Sequence, residues 1–128
     1  MIQDNTKTGM LALPVSADLS GKENHLVKMT ATGLALTAAA TDPATYVVVS
    51  GAALGDTADV VPLSGERNIS VVVSEAVAVG DSLAIDTGNA GQAVVAAVST
   101  AAFGVVEIAT GAGGTAIVRP IQHTTPAA

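Results

Sequence analysis

The sequence predicts an all-β fold, a small β-barrel or β-sandwich built from short antiparallel strands. Segments rich in Val, Ile and Thr recur along the chain with an apolar period of two. Glycine, proline, asparagine and aspartate separate these segments at the spacing that is typical of sandwiches and barrels. No segment combines a sustained period of 3.6 residues with helix caps, so helices are not expected to contribute to the core.

The first 24 residues differ in character from the rest and predict an extended N-terminal arm. Residues 1–9 are polar, residues 10–15 are apolar, and residues 16–24 are polar again. The apolar side chains of this run make Met10, Leu11, Leu13 and Val15 candidate contacts with another molecule. The alternative is that the run folds back as an edge strand of its own domain. The sequence alone leaves both possibilities open.

Residues 25–123 form the predicted β domain, and residues 124–128 a flexible C-terminal tail. The turns that divide the domain contain Asp42-Pro43, Gly51, Gly55-Asp56, Gly80-Asp81 and Gly88-Asn89, with further turns at 64–65 and 111–114. One segment, 96–103, is also compatible with one or two helical turns. The nine predicted strands are 25–30, 34–37, 46–50, 59–63, 69–74, 82–86, 92–97, 103–108 and 115–121.

Composition argues against a deep ligand pocket. The chain has 128 residues, enough for one domain with a real core, and 49% of them are hydrophobic but only 2% are aromatic. Pockets for small molecules are usually lined by aromatic and large aliphatic side chains, whereas Ala and Val dominate here. We therefore expect no small-molecule substrate and no cofactor.

Charge and hydropathy exclude two further classes of partner. The chain carries 5 Lys+Arg against 11 Asp+Glu, for a formal net charge of -6, and its basic residues are scattered singly. Nucleic-acid binding needs clustered cations, so we expect none. The longest uncharged stretch, 87–106, is long enough to span a membrane, but it contains Gly, Asn, Gln, Ser and Thr throughout. We expect no membrane span.

Residues 79–88, VGDSLAIDTG, contain two patterns that resemble catalytic motifs. The first, Gly80-Asp81-Ser82-Leu83, matches the nucleophile block of the GDSL esterases. Those enzymes place the serine at a strand-to-helix turn, with a late histidine base that an aspartate orients. Here the residues after Ser82 continue as a strand, and no aspartate lies three residues before His123. We expect Gly80-Asp81 to form a tight turn and Ser82 to begin a strand.

The second pattern, Ile85-Asp86-Thr87-Gly88, resembles the active-site triplet of retroviral-type aspartic proteases. These are small all-β dimers in which two aspartates share one proton, so one Asp86 from each copy would suffice. However, the triplet falls late in the chain, and the later segment that braces the catalytic loop in that family is missing. A hairpin turn over 86–89 is the preferred interpretation.

The remaining chemistry-bearing residues do not form a site in the sequence. The glycine-rich segment 111–115 is followed by a strand and lacks the lysine and the helix of a phosphate loop, so a hairpin loop is expected. His25 and His123 have no third ligand at a metal-binding spacing, and the chain contains no cysteine. We expect no metal site.

The chain from residue 25 onward resembles the decoration, or cement, proteins of tailed-bacteriophage capsids. The likeness rests on the order of turns and strands in EAVAVGDSLAIDTGNAGQAVVAA (75–97) and AAFGVVEIATGAGGTAIVRPI (101–121). In this family Gly80-Asp81 corresponds to a turn. The resemblance implies a non-enzymatic homotrimer on the outer surface of the phage head, made in the host cytoplasm, that binds the major capsid protein and stabilises contacts between its subunits.

This resemblance gives the N-terminal arm a role. Met10, Leu11, Leu13 and Val15 would be the capsid or inter-subunit contacts of such a protein. Two other functions remain as alternatives: a retropepsin-like dimer that uses Asp86, and a non-viral β-sandwich binding module. A carbohydrate-binding module would usually offer aromatic platforms, but Tyr46 and Phe103 are the only aromatic residues.

Overall fold

The structure, a computed structural model, describes residues 10–64 and 67–126. In this part of the chain there are ten β-strands and no helix. The strands form two antiparallel sheets of five strands each. The predicted all-β class is confirmed, as a β-sandwich rather than a closed barrel.

The first sheet contains the first five strands in the order β1-β5-β4-β2-β3, and the second contains the last five in the order β6-β10-β9-β7-β8. The strands of the first sheet are β1 (Leu11–Pro14), β2 (Leu26–Thr30), β3 (Gly33–Leu36), β4 (Tyr46–Ser50) and β5 (Thr57–Pro62). Those of the second are β6 (Ile69–Val72), β7 (Ser82–Ile85), β8 (Ala93–Val95), β9 (Ala101–Ile108) and β10 (Thr115–Thr124).

Each of the nine predicted strands corresponds to one observed strand, from β2 to β10, with ends that differ by a few residues. The possible helical turns over 96–103 are wrong, because β9 begins at Ala101 and residues 96–100 form a non-helical connection. A tertiary contact fixes this connection. The hydroxyl of Thr125 donates to the carbonyl of Ala97 and accepts the amide of Thr100.

The apolar N-terminal run is paired within its own domain. Strand β1 lies antiparallel to β5, from the pair Leu11↔Val60 to the pair Pro14↔Thr57. The connection that follows is also packed, because Leu19 is buried and its amide donates to the carbonyl of Ala52 (2.8 Å). Residues 10–24 are thus continuous with the β domain, as the edge-strand alternative requires, and they satisfy the edge of β5. The predicted arm residues 1–9 lie outside the described residues.

Residues close to the C-terminus also belong to the β domain. Thr124 belongs to β10, and the amide of the buried Thr125 donates to the carbonyl of Thr100 (2.9 Å). Residues 124–126 therefore contribute to the domain, while residues 127–128 of the predicted tail lie outside the described residues.

The second sheet repeats the topology of the first. Its strand order is that of the first sheet with every strand number raised by five. In each sheet the two edge strands converge at one isolated parallel bridge, Val15↔Leu34 in the first and Val73↔Ala93 in the second. We call residues 10–63 the first half and residues 69–125 the second half. The molecule consists of two copies of one five-stranded unit.

The repeat extends to individual hydrogen bonds in the loops. The amide of Leu19 donates to Ala52 (2.8 Å), and the amide of Val77 donates to Thr110 (3.0 Å). The members of each equivalent pair lie 58 residues apart (77 minus 19, and 110 minus 52). Conserved loop bonding of this kind indicates that the two halves share backbone geometry and not only strand order.

The first sheet is buried on both faces. One face joins the second sheet in a core that also holds Phe103, and the other face packs inside the curl of the first sheet itself. Adjacent residues therefore enter different cores: Leu26, Val47 and Val61 the first, and Val27, Val48 and Val60 the second. This explains the apolar doublets of β2, β4 and β5, because a strand buried on both faces has no polar alternation.

Candidate contact surfaces

Five tight turns share one design. In each, the amide of the fourth residue donates to the carbonyl of the first, and the third residue is a glycine with φ between 71° and 99°. This is the arrangement of a type II turn, whose third position requires the left-handed backbone that glycine tolerates. The turns are 19–22, 53–56, 78–81, 89–92 and 111–114.

The GDSL-like motif belongs to one of these turns. Gly80 has φ 92°, the amide of Asp81 donates to Ala78, and the carboxylate of Asp81 accepts the amide of Ala78 (2.9 Å). Ser82 then begins strand β7. The predicted turn is confirmed, and no helix follows the serine.

Ser82 and His123 nevertheless meet. The Oγ of Ser82 lies 2.9 Å from Nε2 of His123, whose Nδ1 lies 2.8 Å from the carbonyl oxygen of Ile121. A carbonyl can only accept, so in the neutral imidazole Nδ1 carries the proton and Nε2 accepts the hydroxyl of Ser82. The contact resembles that between the serine and the histidine of a catalytic triad, with a carbonyl where the triad has a carboxylate. Sheet order creates it, since β7 and β10 flank β9.

Asp86 is tied into its own turn. It is buried, Oδ1 accepts the amide of Gly88 (2.7 Å) and Oδ2 accepts the side-chain amide of Asn89 (2.8 Å). Burial alone would raise the pKa of Asp86, but hydrogen bonds from Ser74, Asn89 and the Gly88 amide outweigh it and hold the pKa below its usual range. Both oxygens of this carboxylate therefore have hydrogen-bond donors within their own turn. Strands β7 and β8 form a hairpin as predicted, but its tight turn is 89–92 rather than 86–89.

The four candidate residues of the apolar N-terminal run contact their own domain. Val15 is buried in the core of the first sheet, and Leu11 and Leu13 are half-buried against the same core. Met10 packs against the core between the sheets. Most of the apolar surface of this run is therefore already covered.

The two most exposed large aliphatic side chains of the described residues project from glycine turns instead. Leu54 and Val79 are 66% and 67% exposed, and each occupies the second position of an Ala-apolar-Gly-Asp turn, 53–56 and 78–81. We call these two segments the apolar turns. The second positions of the other three glycine turns hold Ser20, Ala90 and Ala112. A rigid turn that presents a large apolar side chain to solvent is suited to binding a partner.

An apolar groove of about 390 Å³ lies beside β8, between the second half and Ala40 and Thr41 of the β3–β4 connection in the first half. Its lining consists of five alanines, two valines, two threonines and Ile85, so it contains no charged side chain. We call it the β8 groove. Its alanine-rich walls fit a protein surface better than a small ligand.

Charges and possible ligands are dispersed over the rest of the described surface. Lys28 pairs with Asp42 (2.8 Å), and Arg119 pairs with Glu107 (2.6 Å). Within residues 10–64 and 67–126, no group of three or more His, Asp or Glu side chains is placed to hold a metal ion. No helix among the described residues has the length and hydropathy to cross a membrane.

Comparison with solved structures relates this fold to a phage component. The chain is similar to the head fiber gp8.5 N base of bacteriophage phi29, with a TM-score of 0.65 and 21% sequence identity over 89% of this chain and 99% of that chain. At this identity the likeness shows a shared fold. No protein-family model matches the sequence, and a comparison with curated proteins also gives no match.

Proposed function

We propose that this protein is a structural component of a tailed-bacteriophage head, a decoration protein that binds the outer surface of the assembled shell. The supporting observation is the backbone likeness to the base of a phage head fiber, which covers nearly the whole of both chains. The turn-and-strand pattern of residues 75–121, which resembles that of decoration proteins, supports the same role from the sequence. The proposed partner is the major capsid protein, whose neighbouring subunits the decoration protein would fasten together.

In this proposal the protein is not an enzyme. The Ser82–His123 contact braces β7 against β10, and the carboxylate of Asp86 closes the β7–β8 turn. Both groups have a structural use that accounts for their geometry. A decoration protein needs a stiff domain, and tight glycine turns between short strands supply it.

We place the capsid contact on the apolar turns rather than on Met10, Leu11, Leu13 and Val15. The latter pack within the domain, whereas Leu54 and Val79 expose about two-thirds of their surface. Burial of one such side chain on a partner contributes about 1.5 to 3 kcal/mol before ordering costs. In the proposed homotrimer, several weak contacts act together because linked sites bind at high effective concentration.

The test is co-sedimentation with shells assembled from the major capsid protein of the same genome. We expect the protein to sediment with the shells. We expect Leu54→Ser and Val79→Ser to weaken binding by about tenfold or more, the equivalent of about 1.4 kcal/mol. Ala112→Ser is the matched control, since it changes the same position of a third glycine turn.

Failure of the unmodified protein to bind these shells would contradict the proposed function. Full binding by both serine variants would remove the apolar turns from the interface.

A further inference from the structure

The internal repeat shows how the end of an outer strand is covered in this fold. The end of β3, in the first half, is covered by the β7–β8 loop, which belongs to the second half. The amide of Gly91 donates to the carbonyl of Thr37 (2.8 Å), and the carbonyl of Gly91 accepts the amide of Leu26 (2.7 Å). The fit is close, since a Cβ on Gly91 would lie 2.7 Å from Cδ2 of Leu36. Thr37 is fully buried as a result.

The corresponding strand end of the second half has no such cover. In the first half, the amide of Thr37 donates to the carbonyl of Leu26 (3.2 Å). In the second half, the amide of Ala96 donates to the carbonyl of Ser82 (2.8 Å) in the same way. Val95 and Ala96 therefore occupy the positions of Leu36 and Thr37. Among residues 10–64 and 67–126, no loop makes the equivalent pair of hydrogen bonds to the second half. Val95 is 37% exposed, and the β8 groove opens at this point.

Loop length explains the difference between the halves. The connection from β7 to β8 comprises residues 86–92, long enough to reach across to the first half. Its counterpart in the first half, between β2 and β3, has only two residues, Ala31 and Thr32. A two-residue hairpin is too short to return the contact within one chain. The tip of this β2–β3 hairpin is uncharged and exposed, and Met29 beside it is 42% exposed.

We infer that the β8 groove binds the β2–β3 hairpin of a second copy of this chain. The hairpin would then give the second half the cover that the β7–β8 loop gives the first half. This inference rests on the homotrimer of the proposed function and names its interface. The contact is head-to-tail, because each copy contributes its hairpin on one side and its groove on the other. Such contacts form a ring when the rotation closes, as three copies would do.

Charge favours a copy of the same chain as the occupant. Each copy carries a formal net charge of -6, so two copies repel one another wherever their carboxylates approach. The hairpin tip is uncharged, and no charged side chain lines the groove itself. A smaller hollow of about 230 Å³ shares Ala40, Ile85 and Ala101 with the groove. The carboxylates at the margin of this surface are already engaged, since Glu75 accepts the amide of Val95 (2.9 Å) and Asp42, which lines the hollow, pairs with Lys28. A basic partner would instead be attracted to the acidic parts of the molecule.

The test is the mass of the purified protein, measured by light scattering and native mass spectrometry without any capsid protein. We expect a trimer of the 12.5 kDa chain. We expect Ala97→Glu in the groove and Met29→Glu beside the hairpin to yield folded monomers, since both positions are exposed. Ala112→Glu, the same substitution at an exposed alanine of a distant turn, should remain trimeric. Circular dichroism and the melting temperature verify the fold of each variant.

A mixing experiment tests the direction of the contact. Ala97→Glu retains its hairpin and Met29→Glu retains its groove, so a mixture should form a dimer with one of each, while neither variant associates alone.

A monomeric wild type, or a trimer that survives Ala97→Glu, would overturn the inference while leaving shell binding to be judged by co-sedimentation. A trimer that survives Met29→Glu would exclude the hairpin as the occupant. If Ala97→Glu keeps the trimer but loses shell binding, the groove binds the capsid protein instead of a second copy.

Discussion

The first half of the molecule covers the end of its outer strand β3 with a loop of the second half, whereas the second half leaves the corresponding end of β8 open. The connections that follow these strands also differ. In the first half, Asp42 accepts the amides of Ala38 and Ala39 (2.8 and 2.9 Å) and pairs with Lys28. In the second half, the hydroxyl of Thr125 holds the connection without any charge. The same backbone arrangement is thus stabilised by ionic contacts in the first half and by neutral contacts in the second half.

The charges beside the outer strands also differ between the two halves. Lys28 corresponds to Ala84, because Leu26 and Ser82 are equivalent positions. With alanine at the position of Lys28, the second half has no counterpart of the Lys28–Asp42 ion pair beside its groove. The two halves thus share a backbone but present different surfaces.

The largest effect is expected from deletion of residues 1–20, which removes β1 and Leu19. Buried Val15 and Leu19 each contribute several kcal/mol by analogy with large-to-small core changes, and a domain of this size is stable by only about 5 to 15 kcal/mol. We expect the truncated chain to lose cooperative unfolding and to aggregate through the exposed edge of β5. Calorimetry and light scattering measure this. A truncated protein that melts like the full chain would show that β1 is dispensable for the fold.

The next largest difference between the halves is expected from truncation of their aromatic residues. Phe103 of β9 is buried between the sheets, while Tyr46 of β4 is half-buried. We expect Phe103→Ala to lower the free energy of unfolding by about 3 to 5 kcal/mol, and Tyr46→Ala by less. Denaturant titration provides the comparison. Equal losses would mean that the two cores depend on their aromatic residues to the same degree.

A third contrast concerns glycine at the end of β4. A Cβ on Gly51 would overlap the carbonyl oxygen of Leu19, whereas the equivalent position in the second half, 58 residues later, already holds Ala109. We expect Gly51→Ala to cost about 1 to 3 kcal/mol through steric overlap with backbone. Gly111→Ala is the control, since a Cβ there meets open space. If urea denaturation shows no loss in the free energy of unfolding for Gly51→Ala, the backbone of the first half can shift to accommodate a Cβ, as that of the second half does at Ala109.

Acid should affect both halves through carboxyl groups whose pKa is lowered in the folded state, among them Asp42 in the first half and Asp86 in the second. Amides of Ala39 and Ala38 and the ammonium of Lys28 hold the pKa of Asp42 well below its usual range, and the pKa of Asp86 is also lowered by its turn. Because the folded-state pKa values are depressed, their contribution is complete above the ordinary carboxyl pKa of about 4 and is lost as pH falls through the folded values. We expect the melting temperature to fall below about pH 4.

Asp42→Asn and Asp86→Asn should each flatten this acid dependence. An acid limb that is the same in both variants as in the wild type would assign the effect to other carboxylates.

The smallest effect is expected at Ser82, whose hydrogen bond to His123 exists only in the second half. Ser82→Ala removes one half-buried hydrogen bond, so we expect a loss of about 1 kcal/mol or less. We also expect no hydrolysis of an activated ester by the wild type beyond that of a His123→Gln variant. Turnover that disappears in Ser82→Ala would convert this structural contact into a catalytic one.

Much of the fold could be predicted from the sequence because its strands and turns are local features. The runs of Val and Ile marked β2 to β10, and glycine at the third turn position marked connections such as those at Gly55, Gly80 and Gly113. The repeat was not recognised, although Val15-Ser16 and Val73-Ser74 have the same spacing as Gly55 and Gly113. Comparison of the sequence with itself at that spacing would have exposed it.

The candidate site was less predictable. The sequence does not predict the Ser82–His123 contact, because the two residues lie 41 positions apart and sheet order decides which side chains meet.

The sequence by itself determined the all-β class, the positions of the turns and the absence of clustered cations, because these depend on the backbone preferences and side chains of neighbouring residues. Only the tertiary structure decided that β1 pairs with β5, that Ser82 contacts His123 and that one half is covered while the other is open. These outcomes depend on which distant segments bury each other's apolar surface and satisfy each other's hydrogen bonds. Partners of this kind are selected by the packing of the whole chain, which no local pattern contains.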